Sequence, residues 1–256
     1  MQETGKVKKP KPDPIIVGKV YTSFHGCQFT VIEYKGCNDI IIKFQDEHTR
    51  STKAQDIRSG FVKNPHRRSL FGVGYIGSGK YSTKGSPEEK AAYGCWSDMI
   101  RRCYYERELL RYPTYRGCSV CPEWHNFQVF AEWYFNQPFS MTGYHLDKDI
   151  LVKDNKVYSP DTCSFVPYVI NSLLCDSGKS RGKCVIGVSF HKRDKNYSAN
   201  VSVGGRLKYL GGYATEEEAS AAYVVSKEAL MKTVAKEWRG KIEEKVYHAL
   251  MEWTVY

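Results

Sequence analysis

Residues 145–174 read HLDKDILVKDNKVYSPDTCSFVPYVINSLL. A strand is expected around 145–148, then a loop, a second strand around 162–166, and a helix from Pro167 to about Leu174. His145, Asp147 and Asp149 share one face of the first strand, because side chains alternate with a period of two. A strand–strand–helix unit of this kind gathers polar side chains that lie far apart in the chain.

Downstream, Val185–His191, Tyr197–Val203 and Arg206–Gly211 read as three strands, with Gly204-Gly205 suited to a tight hairpin. With that turn, Asn200 and Ser202 share a face with Leu207 and Tyr209, and Ser189 and His191 join it. Ala199, Val201 and Leu210 fall on the other face. Thr215-Glu216-Glu217-Glu218 is a capping box. Ala219, Ala222, Tyr223 and Leu230 give the helix behind it an apolar stripe. Trp238, Ile242, Val246, Leu250 and Trp253 mark a final amphipathic helix.

Upstream, Ser86-Pro87-Glu88-Glu89 is another capping box with Pro at the first helical position. Its helix runs to about Tyr104, with Ala92, Trp96, Met99, Ile100 and Cys103 on one face. A further helix starts near Asn126. Residues 63–85 are Gly-rich and read as a linker or arm offering Arg67, Arg68 and Lys80 to phosphates. Residues 15–62 carry four short strand patterns at the spacing of a small β-barrel. Residues 1–14, with four Lys and three Pro, read as a flexible basic tail.

The expected class is therefore α+β. The segments are 1–14 tail, 15–62 barrel, 63–85 arm, 86–175 strand–strand–helix domain with helices, 176–183 polar linker, and 184–256 sheet–helix domain with a C-terminal helix. The 256 residues carry a net charge of +10, distributed unevenly. Residues 63–116 have net +6, residues 117–176 net −4, and residues 177–212 net +7. Two basic blocks flanking an acidic one suit a protein that grips phosphate backbones and presents carboxylates to them. No apolar run reaches the ~18 residues of a membrane span, so no membrane partner is expected. Nine Cys is an odd number, which disfavours a fully paired disulfide framework and favours a reducing compartment.

Residues 186–231 resemble the DNA-binding domain of the plant ethylene-response factors, the APETALA type. The matching residues are Gly187-Val188, Tyr197-Ser198-Ala199-Asn200-Val201, Tyr209-Leu210-Gly211 and Thr215 through Tyr223. That resemblance implies a three-stranded sheet placed in the DNA major groove with the helix packed behind it. Double-stranded DNA is then the partner. The residues expected to meet it are Ser189, His191, Asn200, Ser202 and Tyr209 on the sheet, with Lys192, Arg193, Lys195, Arg206 and Lys208 nearby. Lys179, Arg181 and Lys183 extend the basic block, and Arg67 and Arg68 add to it. Plant members present several Arg and Trp on the reading face; here Ser, Asn, His and Tyr stand there, which favours phosphate grip over base reading.

Residues 93–174 resemble HNH homing endonucleases of phages and mobile elements. The shared skeleton is Trp96, Met99, Arg102-Cys103, Tyr115, Gly117, Cys121, Trp124, Phe127 and Phe130, then Leu146-Asp147-Lys148-Asp149, Tyr158-Ser159-Pro160, Cys163, Val166 and Asn171. The resemblance implies a magnesium or manganese ion held by Asp147 and Asn171, oxygen ligands that suit a hard cation. It also implies cleavage or nicking of double-stranded DNA, in the cytoplasm, that of the host if the chain is phage-encoded. The family's His base falls at Lys148 and its orienting Asn at Thr162. Lys148 is a poor base and is open to a phosphate-clamping role; His145 is the alternative base, and Asp149 a second ligand or an orienter.

Cys118-Ser119-Val120-Cys121, with Cys103 and Cys163 or His125, offers a structural zinc set, although Cys121 and Cys163 also suit an apolar core. Two other functions fit the same chain: a DNA-binding protein or regulator without catalysis, and an interaction protein whose barrel binds another protein.

Overall fold

The computed structural model describes residues 13–140, 142–174 and 183–255. All but the last two residues of the tail expected over 1–14, and all but Lys183 of the linker expected over 176–183, lie outside the described residues. The chain forms two compact units. One comprises residues up to 68 together with 75–78, and the other comprises 69–74 and everything from 79 onward.

The first unit is an antiparallel meander of β1 (Val20–Thr22), β2 (Gln28–Gly36), β3 (Asp39–Phe44) and β4 (Thr49–Thr52), followed by α1 (Ala54–Arg58). The alternation in β3 buries Ile40, Ile42 and Phe44 on one face. They form a core with Phe29, Val31, Ala54, Ile57 and Val62. The expected barrel is corrected to an open sheet: its order β1-β2-β3-β4 leaves β1 and β4 as separate edges. The fourth strand pattern is cut short because Ala54–Arg58 turns helical and lays Ala54 and Ile57 over the open end.

In the second unit α2 (Pro87–Tyr104) starts at the capping box. The Ser86 side chain accepts from the Glu89 amide, and the Glu89 carboxylate accepts from the Ser86 amide. Such a cap contributes about 1 kcal/mol. Short α3 (Glu106–Arg111) and β5 (Ser119–Val120) lead to α4 (Phe127–Phe135), capped by Asn126. Trp96 on α2 is fully buried and donates its indole N–H to the Trp124 carbonyl at 2.7 Å. The residues 79–82 end of the Gly-rich segment is strapped to α4, where Gln128 bonds both the amide and the carbonyl of Tyr81. Lys80 pairs with Glu132 at 2.9 Å rather than lying free for phosphate.

The strand–strand–helix unit follows. β6 (His145–Asp147) pairs antiparallel with β8 (Ser164–Val166), Asp147 opposite Ser164. The intervening loop contributes β7 (Val157–Tyr158), which runs parallel to β5. Then comes α5 (Tyr168–Leu174).

The C-terminal sheet has order β11-β10-β9, built from β9 (Val188–His191), β10 (Asn196–Val203) and β11 (Arg206–Tyr213). Gly204 and Gly205 turn its hairpin with φ of 56° and 79°, the left-handed pair that a two-residue turn requires. One face packs Val188, Ala199, Val201 and Leu210 on Ala219 and Tyr223 of α6 (Glu216–Trp238). Gly187 passes so close beneath that ring that an added Cβ would stand 2.0 Å from Tyr223.

Helix α6 continues well beyond the sheet. Its far half supplies Met231, Val234 and Ala235 to a second core with Ile150, Val166 and Ile170 of the strand–strand–helix unit, and with Ile242, Val246 and Leu250. The last two belong to α7 (Glu244–Met251). Gly240, at φ 79°, separates α6 from α7, so the expected final helix over 238–253 is a helix end, a turn and a shorter helix. The segments expected as 86–175 and 184–256 thus share one core, and the boundary between them is not a boundary between cores.

Candidate functional site

A cleft of about 880 Å³ opens beside β6 and α5 in the second unit. His145, Asp147, Lys148 and Asp149 line it from the first strand and the residues after it, and Asn171 from α5. The fold therefore brings the two expected metal ligands, Asp147 and Asn171, and the alternative base, His145, to one cavity. Thr162 is not among its lining residues. The Thr162 hydroxyl donates to the Val157 carbonyl at 2.8 Å and lies 2.9 Å from Ser159 Oγ, so it holds the loop between the strands. The fold thus does not bring Thr162 to the cleft with His145 and Asp147, where it was expected to orient a base.

Asp147 is 8% exposed. Its Oδ1 accepts the amides of Asp149 at 3.0 Å and Ile150 at 2.8 Å, which fixes the carboxylate at the strand end. Burial, followed by the charge of Asp149, pushes its pKa up to about 6. Two neighbouring carboxylates, one buried, form a donor set that an oxygen-seeking divalent cation would relieve. Asp147 and Asn171 are oxygen donors of the kind a hard cation takes, and both line this cleft with Asp149. Among the described residues no group of three or more His, Cys, Asp or Glu forms a metal-binding cluster.

Lys148 is buried, with its Nζ donating at 2.9 Å to Asp149 Oδ2 and at 2.9 Å to the Asn155 carbonyl. Burial pulls its pKa down, but the hydrogen bond and charge of Asp149 more than offset that, and the net shift is upward. In this arrangement its amine is charged and braces the loop at the edge of the cleft. Asn155 completes the brace by donating to the carbonyls of Lys148 and Val157. His145 is exposed at the cleft, its ring 5.9 Å from that of Tyr168.

The suggested zinc set does not assemble. Among the described residues Cys103, Cys118, Cys121, Cys163 and His125 form no cluster with metal-binding geometry. A ring nitrogen of His125 lies 3.1 Å from the Val120 carbonyl.

The outer face of the C-terminal sheet is the expected one. Asn200 stands opposite Tyr209 and Ser202 opposite Leu207. Ser189 and His191 join from β9, and a ring nitrogen of His191 lies 2.8 Å from Ser198 Oγ. Leu207 and Tyr209 are 77% and 63% exposed. The pairing also shows a bulge, absorbed in β11, that keeps Leu210 on the helix side. Lys192, Arg193 and Lys195 occupy the exposed β9–β10 turn, where Arg193 pairs with Asp194 at 3.0 Å. Arg206 and Lys208 stand opposite Val203 and Val201 and therefore project from the helix side, not from the outer face. Lys183 is exposed; Lys179 and Arg181 lie outside the described residues. Arg67 and Arg68 are exposed and belong to the first unit.

Several cleft residues were not expected as site residues. Arg102 and Asp98 enter from α2, and Tyr223 and Lys227 from α6. Lys227 is buried and donates to the Leu173 carbonyl at 2.8 Å, closing the C-terminal end of α5. An apolar stripe reveals that a helix is buried, but not which polar neighbours then line a cavity. Among the described residues no helix is long and apolar enough to cross a membrane. Comparison of the chain with models of protein families, with curated proteins and with solved structures found no match.

Proposed function

We propose that this chain is a metal-dependent endonuclease of HNH homing type that cleaves or nicks double-stranded DNA. The observation that carries this reading is the meeting of His145, Asp147 and Asn171 at one cleft of a strand–strand–helix unit. The C-terminal sheet holds the duplex, with Asn200, Ser202 and Tyr209 on its outer face and the Lys192–Lys195 turn on phosphates. Asp147, pinned by two backbone amides, would hold magnesium with Asn171. When bound, that ion supplies stabilisation of the negative charge developing on the leaving oxygen. His145 takes a proton from water, the water oxygen forms a bond to phosphorus, and the phosphorus–oxygen bond breaks with its electron pair leaving on the sugar oxygen.

A second reading, DNA binding without cleavage, is favoured by one observation: Lys148 and Thr162, at the family's base and orienting positions, are both engaged in holding the loop. Incubation of supercoiled plasmid with the full chain and magnesium or manganese separates the two. Nicked or linear product that disappears with Asp147→Ala, while gel-shift affinity stays within a few-fold, supports the nuclease. Undiminished binding with no product under either metal leaves the second reading.

A further inference from the structure

We infer that Arg102 is the anion-binding group of the cleft and takes a phosphate oxygen there; that the phosphate is a DNA phosphodiester rests on the nuclease reading above. Arg102 stands in the last turn of α2, outside the strand–strand–helix unit, and lines the cleft that Asp147 lines. Its guanidinium lies 5.9 Å from the centre of the Tyr115 ring and within hydrogen-bonding reach of Tyr158. Neither neighbour brings a full negative charge: burial holds the Tyr158 phenol well up, in its neutral form.

The other cations of the cleft already have acceptors. Lys148 has Asp149 and Asn155, Lys153 the Thr254 carbonyl, Lys156 the Thr114 carbonyl, and Lys227 the Leu173 carbonyl. Arg102 forms no ion pair with any described carboxylate. Asp98, one helical turn before it, turns instead to Arg101 at 3.1 Å.

Burial works against the Arg102 charge, but Tyr158, Tyr115 and the more distant Asp98 favour it and the net shift is upward, so a charged guanidinium without an ion-paired carboxylate stands at the cleft. Two phenol rings flank the guanidinium, and a planar fork of this kind fits two oxygens of one phosphate. A lysine at this position would present a point charge and lose that match. Arg102 thus brings a phosphate-binding guanidinium to the cleft that Asp147 and Asp149 also line.

The test uses the full chain in chelator-containing buffer, with inorganic phosphate replacing chloride at constant ionic strength. Phosphate raises the melting temperature of the wild type by a few degrees. Arg102→Met loses the phosphate increment, and Arg102→Lys retains part of it. A parallel arm measures single-turnover cleavage of duplex DNA with magnesium. There Arg102→Met slows the reaction roughly a hundredfold, as for loss of one oxyanion donor, with duplex affinity within about threefold. An increment that persists in Arg102→Met, or a wild type indifferent to phosphate, overturns the assignment. So does an equal loss of melting temperature in both variants, which would make the guanidinium structural. A wild type that binds phosphate through Arg102 but cuts no DNA sinks the nuclease reading and keeps the anion site.

Discussion

Asp147→Asn should raise stability while abolishing cleavage. The wild-type carboxyl is moved from an ordinary 3.8 to about 6 by burial and by Asp149. Because the folded value lies above the unfolded one, the native state holds more protons than the unfolded chain between those values, and stability falls as pH rises through that window. Above about pH 6 the full penalty is present, and below about 3.8 it is absent. At about 1.4 kcal/mol per tenfold in the equilibrium constant, the displacement corresponds to ~3 kcal/mol as an upper figure. Asn keeps the Oδ1 that accepts the amides of Asp149 and Ile150, and it sets an amide instead of a charge beside Asp149. Urea unfolding in chelator at pH 7.5 should therefore show Asp147→Asn more stable by about 1–3 kcal/mol, with the advantage shrinking toward pH 4. Plasmid nicking by the same variant should fall to background. A variant less stable than wild type at pH 7.5, or a gain that does not change with pH, would refute the account of this carboxylate.

Three further outcomes follow from the geometry. A fragment of residues 184–256 exposes Met231, Val234, Ile242, Val246 and Leu250, each worth roughly 1.5–3 kcal/mol when buried, so it should melt without a cooperative transition by calorimetry; a sharp transition would restore the boundary at 176–183. Gly187→Ala places a Cβ 2.0 Å from Tyr223 at φ 77° and should cost roughly 2–4 kcal/mol in urea unfolding, whereas an unchanged midpoint would mean that the sheet and α6 are not held as described. Replacing Lys192, Arg193 and Lys195 together by Ala should weaken duplex binding and reduce the slope of log affinity against log salt by about 2–3; an unchanged slope removes that turn from the interface.

Local signals were legible wherever the chemistry is local. Both capping boxes, Ser86 with Glu89 and Thr215 with Glu218, form with their reciprocal bonds. The Gly204-Gly205 turn sets the register that places Asn200 opposite Tyr209. The strand pair around Asp147 lies within two residues of its expected bounds. Closure of the first sheet was not legible, because it depends on whether β1 meets β4, and alternation says nothing of that. Nor was the role of Lys148: its position suggested catalysis, and only the fold reveals the Asn155 carbonyl waiting for its amine. Arg102 belonged to a shared skeleton, but its guanidinium is notable only once the fold shows the cleft it lines.

The length of α6 ties these pieces together. The first half of this helix packs Ala219 and Tyr223 on Val188, Ala199 and Val201, and Leu230 borders both this core and the next. The helix runs to Trp238, and its second half packs on Ile170 of α5, the helix that carries Asn171. Between the two cores sits Lys227, buried and bonded to the last turn of α5 through Leu173. A second tie comes from Ser164, opposite Asp147, whose hydroxyl donates to Glu243. The sheet that would hold the duplex and the cleft that would cut it are thereby fixed to one rigid rod and not joined by a swinging tether. On the nuclease reading, the distance along DNA between the gripped site and the cut would be fixed by this shared framework, and Lys227→Met, which removes the bond to Leu173, should lower the melting temperature of the full chain; an unchanged melting temperature would show that this tie does not join the two cores.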